Sequence, residues 1–209
     1  VQKVLLKYGF LTILTFDHHG SKAFFELHPS IKKLDLAIGR SAKPAGFFET
    51  FKRIWRLRRE ISLLTPDVIV GFMHSMFVPV AFSAIGSRIA VVGSEHIVPE
   101  HYRTRLIQYL LLQLSACFLF KITVVSEKIR MKYPRNVRDK MAVIPNMVEI
   151  SVKIPKSGIA ENKLTILSVG RLDPQKDHAT LILAFAKLSK HFPKWQLRII
   201  GDGYLRPKL

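Results

Sequence analysis

The sequence predicts an α/β protein built from parallel sheets and organised in two units. Short apolar segments typical of buried strands alternate with segments in which apolar residues recur at helical spacing. The alternation stops over residues 151–162, which are predicted to form a linker, and then starts again. Strands that alternate with helices form parallel sheets covered by helices. We therefore expect one domain over residues 1–150 and the beginning of a second, incomplete domain over residues 163–209.

The first predicted domain contains most of the elements. The segment Val1–Tyr8 resembles the last turns of a helix whose beginning lies outside the sequence. Apolar residues spaced three and four apart predict an amphipathic helix over Phe47–Leu64, and Pro66 follows its end. Further helices are predicted over Ser75–Ile85 and Tyr102–Phe120. The predicted strands are Phe10–Phe16, Ile31–Ile38, Asp67–Gly71, Arg88–Gly93, Lys121–Val125 and Met141–Ile144.

The second predicted domain repeats the alternation on a smaller scale. Strands are predicted over Leu164–Val169 and Trp195–Ile200, with a helix over Asp177–His191 between them. The segment Tyr204–Leu209 is predicted to begin another helix. A sheet of only two strands buries its faces poorly, so this domain is expected to be incomplete.

Composition and charge exclude some sites and leave several partners open. Cys117 is the only cysteine, so neither an internal disulfide nor a cysteine-based zinc site can form. The formal net charge of +18 is spread over the chain and fits nucleic acid, an anionic membrane surface or a phosphate-rich substrate. The longest apolar stretch, Leu106–Phe120, falls short of the roughly 20 residues that a bilayer span needs. It is therefore predicted to be a buried helix.

The loop after the first strand of the second domain predicts an anion site. The strand ends at Gly170, the loop carries Arg171 and Lys176, and Asp177 stands where a cap would open the next helix. Open α/β sheets bind ligands at the carboxyl ends of their strands, and a helix N-terminus adds partial positive charge. Two cations beside a helix start are suited to hold a diphosphate. The alternative is a surface loop with two solvated cations.

The same region carries a longer pattern that resembles a known family. Residues 166–188 read ILSVGRLDPQKDHATLILAFAKL, and residues 195–203 read WQLRIIGDG. Both segments are similar to the donor domain of family 4 retaining glycosyltransferases, whose GT-B fold has two Rossmann-like domains. Looser matches in the first domain extend the resemblance over nearly the whole chain: Pro66–Val70, Thr123–Glu127 and Val143–Val148.

The resemblance implies a nucleotide-sugar donor, linked to UDP or GDP, and no further cofactor. In such enzymes the matching arginine and lysine bind the donor diphosphate and stabilise it as the leaving group, so Arg171 and Lys176 are predicted to be catalytic. Preorganised cations aimed at developing charge lower a reaction barrier. The sequence contains no Asp-x-Asp triplet, and no essential metal is predicted. The residues predicted to bind the donor are Gly170, Arg171, Lys176, Gly201, Asp202 and Gly203.

A histidine of the first domain is predicted to face the sugar. Ser94-Glu95-His96 follows a predicted strand, and many family members place a histidine there that contacts the transferred sugar. His96 is therefore predicted to be catalytic, orienting the donor sugar or the acceptor hydroxyl. Glu95 is assigned to the acceptor side, with the alternative that it simply holds the His96 imidazole. The histidines that lack a carboxylate partner at metal-like spacing are predicted to be loop residues: His18, His19 and His74.

A basic cluster is predicted to contact an anionic membrane or the acceptor. Arg56 and Arg59 lie with further cations on the predicted helix over residues 47–64, and Arg103 lies at the start of the predicted helix over Tyr102–Phe120. The family often acts on lipid-diphosphate acceptors at a membrane, where each nearby cation is worth about 1 kcal/mol. The alternative is an ordinary solvated helix face. The nearby apolar residues Phe47, Phe48 and Phe51 could enter the membrane interface, and Phe47 and Phe51 equally fit the core face of the helix.

Taken with the resemblance, these features predict a retaining transferase for a lipid-linked or glycan acceptor. The expected setting is cell-surface polysaccharide or glycolipid synthesis on the cytoplasmic face of a bacterial plasma membrane. Two alternatives are a GT-B nucleotide-sugar epimerase and a basic nucleic-acid-binding module. The sequence shows no aromatic platform or recognition helix, so nucleic acid is not a predicted partner. The family's glycine-rich loop and E-x7-E motif would fall beyond the two ends, so the chain alone is expected not to transfer sugar.

Overall fold

The computed structural model describes residues 7, 9–23, 25–38, 47–102, 104–147 and 164–209, with only the backbone of Phe47. The chain divides into two compact units, Val1–Met147 and Val148–Leu209. Three predicted features lie outside the described residues: most of the helix end over residues 1–8, the linker over residues 151–162, and Arg103.

The first unit contains two parallel sheets. One pairs β1 (Thr12–Thr15) with β2 (Lys32–Asp35). The other has four parallel strands in sequential order: β3 (Val68–Phe72), β4 (Ala90–Glu95), β5 (Lys121–Val124) and β6 (Met141–Val143). The helices are α1 (Phe47–Leu64), α2 (His74–Ser83), α3 (Leu106–Ser115), α4 (Glu127–Arg130) and α5 (Arg135–Arg138). The predicted α/β class with parallel sheets is confirmed.

The core of this unit centres on Phe77, which is fully buried on α2. Gly71 of β3 and Gly93 of β4 are partners in the sheet register and lie beneath this ring. A Cβ atom on Gly71 would come within 2.6 Å of the Phe77 Cα atom, and one on Gly93 within 2.9 Å of its Cγ atom. Interiors packed at crystal-like density do not tolerate such overlap. The two glycines therefore allow α2 to lie close to the sheet.

Most predicted strands and helices of the first unit have bounds that differ by a few residues from the structure, and two of these differences bear on the site. Strand β4 continues to Glu95, so Ser94 and Glu95 belong to the strand and His96 is the first residue after it. The predicted helix over residues 102–120 is shorter, because a 3-10 turn occupies Pro99–Tyr102 and α3 covers only Leu106–Ser115. Beyond Ser115 the chain tightens into i to i−3 hydrogen bonds, from Cys117 N to Leu114 O and from Phe118 N to Ser115 O. Such bonds close a helix before the chain enters β5.

The second unit has one two-stranded parallel sheet, β7 (Leu164–Val169) with β8 (Trp195–Ile200). Helix α6 covers His178–Ser189, and Asp177 caps it by accepting a hydrogen bond from the Thr180 N–H at 3.4 Å. The predicted N-cap is therefore confirmed. The predicted helix start after residue 203 is instead a turn followed by a 3-10 segment, Arg206–Lys208.

Candidate functional site

In the second unit the loops after β7 and β8 are joined by backbone hydrogen bonds. The Gly170 N–H donates to the Ile200 carbonyl at 3.0 Å, and the Leu172 N–H donates to the Asp202 carbonyl at 2.9 Å. The Leu205 N–H in turn donates to the Leu172 carbonyl at 3.2 Å. The pairing of the two strands therefore continues past their ends, and it fixes the backbone from which Arg171 projects.

The glycines predicted to bind the donor have a packing role in this pairing. A Cβ atom on Gly201 would lie 1.9 Å from the Gly170 carbonyl oxygen, and one on Gly203 would lie 2.4 Å from the Leu172 carbonyl oxygen. No side chain can be accommodated at such distances, so these positions require glycine. Gly170 differs, because a Cβ atom there would meet its nearest neighbours at 3.5 Å, an ordinary contact.

The two predicted phosphate-binding cations stand on this loop with exposed side chains. Arg171 is 72% exposed, and its Nη2 lies 3.2 Å from Asp173 Oδ2 and 3.4 Å from Gln175 Oε1. Lys176 is exposed as well, and its ammonium group has no hydrogen bond or ion pair within the described residues. Exposed ion pairs contribute little energy, so an anionic ligand can compete for Arg171. Asp173 also orders the loop, since its Oδ1 accepts the Lys176 N–H at 3.2 Å. Sequence reasoning did not single out Asp173.

His178 is a second residue that the sequence analysis missed. It opens α6, is only 4% exposed, and both of its ring nitrogens are buried without a hydrogen-bond partner in the described part of the chain. Its Nε2 atom would lie 3.5 Å from a Cβ atom on Gly170, which places the ring against the β7 end of the loop. Asp202, which was predicted to bind the donor, is exposed and lies 3.6 Å from Arg206.

In the first unit, His96 stands at the carboxyl end of β4, as predicted, and is exposed. Its Nε2 atom lies 3.0 Å from Ser94 Oγ, which accepts a hydrogen bond from Thr123 Oγ1 at 3.0 Å. The Phe72 ring from the end of β3 stacks beside the imidazole, with 6.4 Å between ring centroids. Three neighbouring strands therefore contribute a side chain to the surroundings of His96.

Glu95 supports the chain around His96 and does not bind its ring. The Glu95 side chain is buried, and its Oε1 accepts the N–H groups of His96 at 2.8 Å and Ile97 at 2.9 Å. Its Oε2 accepts the Tyr102 hydroxyl at 3.0 Å. Burial raises the pKa of the Glu95 carboxyl, and these three hydrogen bonds oppose the rise. The alternative that Glu95 holds the His96 imidazole is therefore wrong: the carboxylate holds the main chain, and Ser94 holds the ring.

His74 was predicted to be a loop residue because no carboxylate stands at metal-like spacing from it, and the structure corrects the loop assignment. It is the first residue of α2, and its Nδ1 lies 4.0 Å from Glu95 Oε2, the outer limit for an ion pair. Burial, followed by the charges of His101 and Arg105, lowers the pKa of His74 to about 4. The ring is therefore neutral at neutral pH, and the contact is not a salt bridge. The carboxyl partner comes from the neighbouring strand, where sequence spacing does not reveal it.

Some arginine side chains of the basic cluster on α1 are engaged in contacts within the chain. Arg56 Nε lies 3.3 Å from Glu60 on the same helix, whereas Arg58 donates to the Ser83 and Ile85 carbonyls near the end of α2. Arg59 is exposed, and no ion pair of its side chain occurs among the described residues. The aromatic residues along this helix face are exposed: Phe48, Phe51 and Trp55. Phe51, for which core and interface positions were both open, thus lies outside the core of its unit.

Neither a membrane-spanning helix nor a metal-binding cluster occurs within the described residues. Each helix that the structure describes is too short or too polar to cross a bilayer. No group of three or more His, Cys, Asp or Glu side chains within the described ranges is arranged to hold a metal ion.

The fold of the chain is shared with solved structures of sugar-modifying enzymes. A structure of trehalose-6-phosphate synthase, from a study of enzymatic glycosyltransfer with retention, superposes with a TM-score of 0.68 at 13% identity. That likeness covers 98% of this chain and 61% of the other. A UDP-GlcNAc 2-epimerase from Neisseria meningitidis superposes with a TM-score of 0.53 at 16% identity, over 85% of this chain and 53% of its own. The predicted fold, an α/β protein of GT-B type present in part, is confirmed.

The sequence is also similar to a glycosyltransferase family model and to glycosyltransferases of other organisms. Residues 149–209 match the family model of glycosyl transferases group 1. A Campylobacter jejuni protein named GalNAc-α-(1→4)-GalNAc-α-(1→3)-diNAcBac-PP-undecaprenol α-1,4-N-acetyl-D-galactosaminyltransferase is 24% identical over 193 residues, 91% of this chain and 53% of that protein. An uncharacterized glycosyltransferase from Haemophilus influenzae is 27% identical over 191 residues, 88% of this chain and 51% of that protein.

These matches confirm the predicted relation to glycosyltransferases. The chain spans about half the length of both curated relatives. The assignment to family 4, the domain boundaries and the roles of the site residues stay predictions.

Proposed function

We propose that this chain is part of an enzyme that transfers a sugar from a nucleotide-sugar donor to a lipid-linked or glycan acceptor. The family match of residues 149–209 and the glycosyltransferase relatives support this class of reaction. The observation that carries the proposal is the loop after β7. Its Arg171 and Lys176 side chains are exposed next to the first turn of α6, on a backbone that β8 holds in place.

The chemistry of transfer explains why such a loop is useful. When the bond between the sugar and the donor phosphate breaks, the departing nucleoside diphosphate gains negative charge. Arg171 and Lys176 would stabilise that charge, and the N–H groups at the start of α6 add partial positive charge. Cations held ready before the reaction are more effective than solvent, and losing one such donor typically costs about 3–4 kcal/mol of barrier stabilisation.

Retention of anomeric configuration is part of the proposal and rests on the resemblance to family 4 enzymes. The donor is proposed to be a UDP- or GDP-sugar, with no essential metal and no other cofactor. Analysis of the product anomer by NMR tests retention: an inverted linkage would contradict it while leaving transfer itself intact.

A lipid-linked acceptor is supported by the Campylobacter jejuni relative, whose name includes a PP-undecaprenol-linked glycan. We extend the proposal to synthesis of a cell-surface glycan on the cytoplasmic face of the plasma membrane. The exposed face of α1 supports a peripheral membrane contact, because Phe48, Phe51 and Trp55 lie at helical spacing, with Lys52 between them and Arg59 one turn beyond Trp55. Aromatic rings beside cations are suited to an anionic membrane interface. Membrane contact is therefore proposed for this helix.

A nucleotide-sugar epimerase is the second candidate, because the Neisseria meningitidis epimerase shares the fold. Both reactions use the same class of donor, but they differ in the fate of the sugar. A transferase joins it to an acceptor, whereas a 2-epimerase inverts one carbon and needs no acceptor. The relatives found by sequence favour transfer.

The decisive experiment uses the intact enzyme with a panel of UDP- and GDP-sugars and an undecaprenyl-diphosphate-linked glycan, followed by mass spectrometry. We expect a mass increase of one sugar on the acceptor with a single preferred donor. An epimerised donor in the absence of acceptor would favour the second candidate. Absence of both products, together with salt-sensitive binding to random duplex DNA, would instead favour a nucleic-acid-binding module.

A further inference from the structure

The side chain of His96 is held by hydroxyl groups from two strands. Ser94 of β4 and Thr123 of β5 are direct partners in the sheet register. Thr123 Oγ1 donates to Ser94 Oγ at 3.0 Å, and Ser94 Oγ lies 3.0 Å from His96 Nε2. Ser94 is buried, so water does not compete freely for its hydroxyl group. The imidazole is thus the exposed end of a short chain of hydrogen bonds that begins inside the sheet.

This chain of hydroxyl groups determines which ring nitrogen carries the proton. A serine hydroxyl has one proton to donate and two lone pairs that accept. Thr123 Oγ1 donates to Ser94 Oγ, and among the described residues the only other hydrogen-bond partner of Ser94 Oγ is His96 Nε2. This leaves Nε2 as the acceptor for the Ser94 proton. A neutral imidazole whose Nε2 accepts carries its proton on Nδ1. No hydrogen bond of His96 Nδ1 occurs among the described residues, so this N–H is available to a ligand.

The main chain at His96 is fixed independently of the ring. Glu95 Oε1 accepts the N–H groups of His96 and Ile97, and the Tyr133 hydroxyl donates to the Ile97 carbonyl at 2.8 Å. Glu95 and Tyr133 are both buried, at 1% and 2% exposure. The exposed imidazole is therefore mounted on a backbone segment that buried groups hold from both sides.

We propose that Ser94 and Thr123 are positioning residues that fix His96 in the Nδ1–H tautomer. The Nδ1–H group is thereby the hydrogen-bond donor offered to an oxygen of the bound sugar. This inference rests on the proposed function and on the prediction that His96 faces the sugar of the donor or acceptor. If the tautomer and the ring orientation are fixed before the substrate binds, the other tautomer and the other ring orientations do not have to be excluded during the reaction.

Nitrogen NMR of the histidine rings in the intact enzyme tests the tautomer directly. Spectra are recorded on protein with ¹⁵N-labelled histidine at about pH 8, above the ordinary titration range of the imidazole. His96→Gln identifies the His96 signals by their loss. We expect Nδ1 to be protonated in the wild type, and we expect Ser94→Ala and Thr123→Val to give a mixture of tautomers. Thr123→Ser keeps the hydroxyl group and should restore the wild-type spectrum, and Ser62→Ala on α1 is the matched control.

Kinetics give a second readout of the same proposal. Ser94→Ala and Thr123→Val should lower kcat by roughly 10- to 100-fold, the range expected when a reacting group is misplaced. The KM for the nucleotide sugar should stay within about twofold, because uniform binding is not affected. Thr123→Ser should recover most of the lost kcat. A purely structural role of the two hydroxyl groups predicts lower thermal stability without a change of tautomer.

The outcomes separate this inference from the proposed function. If the wild-type enzyme transfers no sugar, the proposed function fails, and the NMR spectra still decide the tautomer. If Nε2 is protonated in the wild type, the positioning role is overturned. It is also overturned if Nδ1–H persists unchanged in Ser94→Ala and in Thr123→Val. Thr123→Val nearly preserves side-chain shape, so it supplies the answer if Ser94→Ala folds poorly.

Discussion

Replacing Gly201 with alanine should open the sheet of the second unit at the proposed donor site. The new Cβ atom would lie 1.9 Å from the Gly170 carbonyl oxygen, where real Cβ atoms do not come closer than 3.0 Å. The ends of β7 and β8 must therefore separate by about 1 Å, since close-packed backbone has no other way to remove the overlap. This movement acts on the two hydrogen bonds that join the loops, Gly170 N–H to Ile200 and Leu172 N–H to Asp202.

The size of the effect follows from these contacts. Each backbone hydrogen bond contributes about 0.5–1.5 kcal/mol, and overpacking adds about 1–3 kcal/mol. The free energy of local opening of the β7–β8 pair should therefore fall by about 2–6 kcal/mol. Gly170→Ala is the matched control from the facing strand, because its Cβ atom would meet neighbours at an ordinary 3.5 Å. That variant should stay within about 1 kcal/mol of the wild type.

Hydrogen–deuterium exchange of the amides in Leu164–Val169 and Trp195–Ile200 measures this opening energy locally in the intact enzyme. We expect faster exchange in Gly201→Ala, together with weaker binding of UDP or GDP, because the loop that carries Arg171 loses its support. Equal protection in Gly201→Ala and the wild type would refute the packing argument. Equal loss in Gly201→Ala and Gly170→Ala would also refute it, since the structure gives the two positions different room.

Four further predictions follow from the two sites. Arg171→Ala and Lys176→Ala should each lower kcat by about 100- to 1000-fold with unchanged thermal unfolding; wild-type kcat in both would contradict their role. The lowered pKa of His74, about 4 in the folded chain against 6.5, means that the unfolded chain binds its proton more tightly. The free energy of unfolding should thus fall by up to about 3 kcal/mol as pH drops from about 6.5 to about 4, and it should fall less in His74→Gln. Urea midpoints that shift equally with pH in the wild type and in His74→Gln would refute this. The raised pKa of Glu95 has the opposite effect on stability, because the folded chain binds the Glu95 proton more tightly than the unfolded chain does. Co-sedimentation with anionic liposomes should decrease as salt is added, and it should decrease in Arg59→Glu but not in the control Arg135→Glu on α5. Equal binding to neutral and anionic liposomes would count against the proposed membrane contact of α1. Transfer should persist in excess EDTA, whereas loss that Mg²⁺ or Mn²⁺ restores would reveal a metal site.

The regular elements could be predicted where local pattern alone determines them. Helix α1 and strands β7 and β8 have the predicted bounds, because an amphipathic spacing and short apolar runs fix them without help from the rest of the chain. The predicted helix over residues 102–120 was too long for the same reason. Its apolar pattern runs from Tyr102 past Ser115. However, Tyr102 lies in a 3-10 turn before the helix, where its hydroxyl donates to the buried Glu95 of β4, and tight turns after Ser115 end the helix. Those contacts depend on the sheet and leave no local signal.

For the candidate sites, the positions of the residues could be predicted from the sequence, but their contacts could not. The position of Arg171 and Lys176 after β7 and of His96 after β4 followed from where strands end. The contacts around them did not, because the partners are distant in sequence. Ser94 meets Thr123 only through the register of β4 with β5. His74 likewise approaches Glu95 only because β3 and β4 are neighbours, which is why it was assigned to a loop.

In each candidate site the groups that hold the structure are buried, and the side chains available to a ligand are exposed. In the second unit, glycine contacts and backbone hydrogen bonds are hidden, and the Arg171 and Lys176 side chains are exposed. In the first unit, Glu95 and Ser94 are buried and the His96 ring is exposed. Buried supports limit motion because unmaking them costs desolvated hydrogen bonds, whereas exposed ends can exchange water for substrate at little cost. Substitution of a group that holds the main chain, Gly201 or Glu95, should therefore change local opening and turnover together. Substitution of Ser94, which holds only the His96 ring, or of an exposed end should change turnover alone. A Gly201 or Glu95 variant that alters turnover without altering amide exchange would show that the group acts on the reaction in some other way than by holding the main chain.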